Sequence, residues 1–525
     1  MNVRKMESLR SIDRREFMQV CAGSLALAAA GCRRTNDRAY SRPSTLIVAL
    51  SDNFDRPLCP DYAGEFLVFL PLVRENELSG DRQGCLATRW EHSADYLEWT
   101  YRLRPDVRWH DGKPVTVDDV KFTLELHSRP NSPYTEGSPL TESVSVHDES
   151  TFTVRGINWS TRGGLDWVVS ILPKHLLQNL DYQKFYEWDF WLRPVGCGPY
   201  RYLRDVPQAR VELEANPDYY KGKPKIARVV LKFAGQSGLT ELFSGNVDAI
   251  DLNPAQLTNI ANDPRFQTYW EPNSGRSWAI VWQNKHPIFR DREVRRALSL
   301  AINRRELLQV LNLPSPLSLG DGVYTRRQFQ RGEMSEPRYD PAEARRLLDE
   351  AGWRQPSRGG TRERGGSEFR FTALTLAESP GDQTALYIQD QLRDLGVRME
   401  LQRLERGALL DRLLKTGQFE AIVSFLVLGA SPFERLFGDR GRVGYRNPQL
   451  TRLLEVVGIT ANPEAVDQAY REMTDILHTD QPVAFLFRDA HAHIVHRRVR
   501  GLSAPFRTHP LLFTEDLWLE EGNQQ

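Results

Sequence analysis

The stretch "EWTYRLRPDVRWHDGKPVTVDDVKFTLEL", Glu98 to Leu126, joins a strand, a tight turn and a capped helix without a spare residue. Nothing else in the chain constrains its fold as strongly. Trp99, Tyr101 and Leu103 alternate with Thr100, Arg102 and Arg104, the period of a half-buried strand. Asp111-Gly112 is a turn signal, since glycine accepts positive φ and aspartate can bond its own backbone. Thr116 and Asp119 then stand in capping-box spacing, with Val115 and Val120 at the staple positions on either side. Phe122, Leu124 and Leu126 continue a helix that Pro130 bars from extending.

The same stretch holds a His-Asp pair and two adjacent carboxylates, so an acid/base centre has to be weighed. Asp119 caps, Asp118 suits the positive end of the helix, and Asp111 shapes the turn. His110 and Asp111 are neighbours on extended chain and point to opposite faces, which suits them poorly to activate each other. The stretch reads as scaffold.

At 525 residues the chain is too long for one core and implies two or three domains. Lys+Arg and Asp+Glu are both 69, so the basic excess of a nucleic-acid-binding surface is absent. Twelve tryptophans suggest wide aromatic surfaces, in cores or lining a cavity.

The first 31 residues read as an export signal. Arg14-Arg15 precede Glu16-Phe17-Met18, an apolar run follows from Val20 to Ala30, and small residues lead to Cys32. Eleven residues cannot span a bilayer, which needs about 20. The layout is that of a twin-arginine signal ending in a lipoprotein cleavage site, with Cys32 as the lipidated residue and 32–44 as linker. The chain is therefore expected in the periplasm or cell envelope, tethered outside the cytoplasmic membrane. Of the remaining cysteines, Cys59 and Cys85 are the pair to test for a disulfide.

"CLATRWEHSADYLEWTYRLRPDVRWHDGKPVTVDDVKF" resembles the signature of bacterial extracellular solute-binding proteins, family 5, the large peptide-type receptors of ABC importers. Further blocks follow in family order: "PVGCGPYRYLRD" (194–205), "ANPDYYKGKPKIARVVLKF" (215–233), "LFSGNVDAIDL" (242–252), "VRRALSLAINRRELL" (294–308) and "YDPAEARRLLDEAGW" (339–353). "LYIQDQLRDLGVRMEL" and "FEAIVSF" complete an α/β segment. Cys197 stands where the family usually has Thr.

The resemblance implies an α/β, periplasmic-binding-protein type II-like fold of the large three-lobed kind, with two ligand-closing lobes and an extra one. Lobe I would comprise 45–76, 176–272 and 486–525, lobe II 77–175 and lobe III 273–485. Crossings near Trp270–Arg276 and Pro482–Phe487 would act as the hinge. A solute, first of all a peptide or peptide-like compound, would be captured by hinge closure and passed to an ABC permease with its ATPase partner. The chain has no P-loop of its own. No cofactor, no catalytic residue and no nucleic-acid partner is read, and a monomer is expected.

In amine-anchoring members of the family an Asp follows the strand that resembles "FEAIVSF". Here Leu428-Gly429-Ala430-Ser431-Pro432 follow, with no acid before Glu434. A buried ammonium without a carboxylate is strongly disfavoured. Either Glu434 substitutes, or the amine lies elsewhere, or the ligand is a nickel chelate, haem, sugar or opine. Tyr62, Trp282, Phe425, Glu434, Arg435 and Tyr445 are the cleft candidates, with Glu65 near the first. Trp278, Ile280 and Trp282 share a face that could line a cavity or a core. His491 and His493 share a strand face and could ligate a metal, although no carboxylate or Cys stands at ligand spacing, so no metal site is assigned.

Two other classes remain. A secreted hydrolase would want a G-x-S-x-G elbow or an H-E-x-x-H helix, and neither occurs, while a paired-carboxylate cleft stays open. A receptor that senses rather than transports would carry the same motifs.

Overall fold

The computed structural model describes residues 44–520 apart from short interior stretches, the longest being 51–57, 76–81, 130–140, 157–168, 314–318, 428–432 and 503–514. Arg14, Arg15, Cys32, Tyr62, Glu434 and Arg435 lie outside the described residues. No described helix is long and apolar enough to cross a membrane.

Two sheets carry the architecture. The smaller is an antiparallel sheet of β2 (Ala87–His92), β3 (Glu98–Leu103), β4 (Thr141–Val146) and β5 (Thr151–Gly156), in the order β2-β3-β5-β4. Trp99, Tyr101 and Leu103 of β3 face inward, as their alternation requires. Helix α1 (Val117–His127) begins with the full capping box: the Thr116 hydroxyl accepts from the Asp119 N–H, and the Asp119 carboxylate accepts from the Thr116 N–H. The other oxygen of Asp119 accepts from the Lys174 N–H at 2.9 Å, which ties the helix start to a segment far along the chain.

The larger sheet has ten strands. They are β1 (Thr45–Leu50), β6 (Tyr200–Val206), β7 (Arg210–Ala215), β8 (Arg228–Phe233), β9 (Ala249–Leu252), β10 (Phe266–Trp282), β11 (Arg370–Leu376), β12 (Arg398–Leu404), β13 (Ala421–Val427) and β14 (Val483–His496). Their order is β12-β11-β13-β10-β14-β9-β1-β8-β7-β6. The two long central strands, β10 and β14, run antiparallel through the middle of the sheet. Their ladder breaks register between Pro272 and Ser277, where the partner on β14 changes from Ala490 to Arg488. Phe485 and Phe487 are buried in the lobe III core. The break in the ladder on β14 falls at Arg488–Ala490, next to the 482–487 stretch singled out from sequence.

The apolar interior divides accordingly. One core belongs to lobe III, under α2 (Arg292–Leu300), α3 (Arg304–Val310), α4 (Pro341–Glu350), α5 (Gly381–Asp394), α6 (Pro448–Ile459) and α7 (Pro463–Asp480). A second runs without a break from the small sheet into one face of lobe I, and a third covers lobe I's other face. The small sheet thus shares one continuous core with one face of the large sheet.

Long-range polar contacts join the pieces. In the turn "GNVD" the Asp248 carboxylate receives the Arg498 guanidinium on both oxygens, at 2.7 and 2.6 Å, and the Ile47 N–H at 2.9 Å. One residue thereby holds the first strand, the middle segment and the C-terminal segment of lobe I. Arg295 donates to the carbonyls of Phe289, Asp480 and Gln481, and Arg304 to those of Ser299, Ile302 and Phe485. The described cysteines, Cys59, Cys85 and Cys197, are buried, and Cys59 and Cys85 are not bridged to each other.

Candidate ligand cleft

Strand direction points to a candidate cleft. In lobe III, β11, β12 and β13 are mutually parallel and run antiparallel to β10 on the β13 side, so their carboxyl ends point toward the lobe crossing. In lobe I, β1, β8 and β9 are parallel and β9 pairs antiparallel with β14, so their carboxyl ends point at the same crossing from the other side. Ligands of open α/β sheets bind outside the carboxyl ends of the strands. Here two such sets face one crossing.

The lobe III wall at this point is built on β10 and β13. Arg276 pairs with Val427, the last residue of β13, and its guanidinium lies 3.9 Å from the Phe425 ring centre. Arg406, two residues past the end of β12, approaches the same ring at 5.3 Å. Phe425 packs edge-on against Trp278 at 5.9 Å, and Trp278 stacks on Phe487 at 5.8 Å. Gly381, at the start of α5, is closely packed here: a Cβ would meet Leu376 and Trp278 at 3.1 and 3.4 Å. Asp382 in the same turn is paired with Arg403 at 2.6 Å. On the opposite face of the sheet Arg488 is fully buried and lies 5.2 Å from the Tyr324 ring centre. Burial lowers its guanidinium to about 10, which leaves it charged at neutral pH.

Phe425 is the one described sequence candidate that the structure puts at this wall. Trp282 lies elsewhere on the strand: it pairs with Ala421 at the opposite end of β13, about 20 Å from Arg276 at 3.3 Å per residue. Its ring is fully buried against Phe289 and Phe371. Tyr445 lies near that distal end too. It packs on Phe437 beside that distal end, and its hydroxyl donates to Asp480 at 2.5 Å. Glu65 is buried in a short helix, Glu65–Val68.

His491 lies on β14, and His493 is buried with Nδ1 2.5 Å from Asp251 across the β9 ladder. Among the described residues no group of three His, Cys, Asp or Glu side chains is placed to hold a metal. His110 and Asp111 do diverge, toward Gly196 and Gly198 and toward His175 respectively.

Arg276, Arg406, Trp278 and Phe487 are what the sequence reading missed or left undecided. Arg276 and Arg406 had one available signal, their position just outside strands whose carboxyl ends meet a hinge.

A family model for the middle region of bacterial extracellular solute-binding proteins, family 5, matches residues 82–433. The chain belongs to that family. It is a solute-binding protein, and the family is one of binding and transport rather than catalysis. A Brucella ovis protein named for ABC-transporter peptide binding is 26% identical over 435 residues, covering 79% of this chain and 80% of the relative. Oligopeptide-binding protein AppA of Bacillus subtilis is 26% identical over 426 residues, covering 74% and 75%. NikA from Brucella suis, solved in complex with Fe(III)-EDTA, superposes with a TM-score of 0.75 at 18% identity over 91% of this chain and all of that one. That likeness concerns the fold of family 5, which is the type II-like α/β architecture.

Proposed function

We propose that the protein is the lipid-anchored peptide receptor of an ABC importer, working as a monomer in the periplasm or cell envelope. The observation that carries the reading is the pair of parallel strand sets directing their carboxyl ends at one two-stranded crossing. A solute there touches both lobes only when they close, so binding shifts the population toward the closed form. The closed form is what a permease would recognise, and its ATPase partner would supply the energy. The peptide assignment draws on relatives named for peptide and oligopeptide binding. The anchor draws on the residues before Cys32, where cleavage would leave a lipid-bearing cysteine.

The test is native mass spectrometry of the chain from Asp37 onward, before and after denaturation. A co-purified or captured peptide supports the reading, and a metal chelate or porphyrin in the cleft overturns it. For the anchor, Cys32→Ser should move the protein from the membrane fraction to the soluble fraction. If the wild type is already soluble, the anchor is wrong.

A further inference from the structure

We infer that the end of the large sheet remote from the crossing is a docking face for an anionic phospholipid surface, carried by Lys223, Lys225, Arg228 and Arg497 beside the exposed Trp518. The inference deepens the anchored-receptor reading above and takes its tether from it.

Strand direction brings these residues together. β1, β8 and β9 are parallel and β14 runs against β9, so the beginnings of the first three lie beside the finish of the fourth. Thr45 opens β1 opposite Arg228, the first residue of β8, and Arg498 donates to the Thr45 carbonyl at 2.8 Å. Lys223 and Lys225 precede β8, Arg497 follows β14, and all four cations are exposed. Trp518 pairs with Arg500 in a short ladder and is 43 % exposed, with the Lys225 ammonium 5.0 Å from its ring centre. A tryptophan edged by lysine suits a membrane–water interface, where the ring sits at headgroup level and the ammonium meets phosphate.

Charge is the second observation. The neighbouring arginines are already matched, Arg498 with Asp248, Arg500 with Glu520 and Arg265 with Asp263. Among the described residues Lys223, Lys225, Arg228 and Arg497 have no carboxylate partner, while Asp218 and Asp516 are the unmatched acids of the same segments. The adjoining sequence outside the described residues adds to the positive side. Residues 33–43 hold Arg33, Arg34, Arg38 and Arg42 against Asp37, 503–514 hold Arg507 and no acid, and 521–525 add Glu521.

Reach is the third. Twelve residues separate Cys32 from Thr45, about 40 Å at full extension. A lipid on Cys32 therefore holds this end within that distance of the bilayer. A basic patch supplies the second signal that stable attachment by a lipid chain calls for. Arg488, at the crossing, is nine residues from Arg497 along β14, about 30 Å at 3.3 Å per residue, so the contact leaves the cleft clear of the headgroups.

The test is sedimentation of the purified chain from Arg33 onward, which carries no lipid, with vesicles of phosphatidylcholine alone and of phosphatidylcholine and phosphatidylglycerol in equal parts. Binding to the mixed vesicles only is expected, with loss in molar salt, where the Debye length is about 3 Å. Lys225→Glu with Arg228→Glu should weaken it about ten-fold or more, since each cation near an anionic surface is worth about five-fold. Lys223→Gln with Arg497→Gln should act in the same direction, and Arg345→Glu, at an exposed position on α4, should leave binding unchanged. Brominated phosphatidylglycerol should quench the protein's fluorescence, and Trp518→Phe should remove most of that quenching. No binding to either vesicle, an equal loss in Arg345→Glu, or quenching untouched by Trp518→Phe overturns the docking face. So does binding to duplex DNA as tight as to the mixed vesicles, which would make the face a general polyanion binder. The anchor fails separately: a wild type that fractionates as soluble removes the tether, whereas a lipid-free chain that ignores anionic vesicles removes the face.

Discussion

The ring of His110 is clasped to Gly196: its Nδ1 accepts the Gly196 N–H at 3.2 Å while the His110 N–H donates to the Gly196 carbonyl at 2.7 Å. The ring proton therefore sits on Nε2, 3.1 Å from the Gly198 carbonyl. Gly196 itself has no room for a side chain, since a Cβ would lie 1.9 Å from the Val68 carbonyl oxygen. Two sequence blocks some 86 residues apart thus form one joint. His110→Ala should cost about 1–3 kcal/mol, the penalty for leaving buried backbone groups unsatisfied. Urea unfolding should show it, with ligand stoichiometry unchanged. A variant that lost ligand but kept stability would mean that His110 belongs to the cleft.

The same residue sets part of the acid sensitivity. Burial pushes His110 down to about 4 and His127 down to about 3. The unfolded chain therefore takes up these protons at a higher pH than the native one. Their contribution is fully present above about 6.5, the pKa of a free imidazole, and is lost as pH falls toward 4 and 3. The urea midpoint should decline from pH 7 to pH 4.5, and a neutral His127→Asn variant should show a flatter decline. A midpoint independent of pH over that range would contradict the neutral, buried rings.

Legibility followed the reach of each interaction. The start of α1 could be read because Thr116, Asp119, Val115 and Val120 are local partners. The second job of Asp119, accepting from Lys174, could not, because its partner is 55 residues away. Arg295 and Arg304 look like the polar side of a core helix, yet each clamps carbonyls more than 180 residues distant. Period-2 alternation correctly grouped Trp278 with Trp282 on one face of β10. It carried no information about which end of the strand meets the hinge, and only the direction of the neighbouring strands supplies that.

Asp248 should be among the costliest single substitutions in lobe I. Its two oxygens take three donors from both ends of the chain, and it is buried. Asp248→Asn replaces an acceptor pair by one acceptor and one donor and strands the Arg498 charge. A loss of about 3–5 kcal/mol is expected, read as a drop in the guanidinium midpoint. A loss under about 1 kcal/mol, the range of a surface pair, would show that the pair is solvated.

The thiols offer a simple check. Cys59, Cys85 and Cys197 are buried and not bridged to one another, and burial raises Cys85 and Cys197 above the usual thiol range. A thiolate is the reactive form, so the native protein should resist a thiol reagent. The chain from Asp37 onward, denatured without reductant, should release three equivalents. A count of one would show that two of them pair on export.

Trp282 and Phe425 separate packing from recognition on a single sheet face. Trp282 is enclosed by Phe289 and Phe371 at the distal end, so Trp282→Ala should cost about 3–5 kcal/mol of stability through lost burial and a residual cavity. Ligand capture per folded molecule should hardly change. Phe425 keeps 9 % of its surface exposed and carries Arg276 and Arg406 on its ring. Phe425→Ala removes the plane that orients both guanidiniums, so peptide retention should fall even where the thermal midpoint holds. Phe425→Tyr keeps the plane and should restore retention. If Trp282→Ala lost ligand while Phe425→Ala kept it, the cleft would lie at the other end of β13, and the strand-direction argument would fail with it.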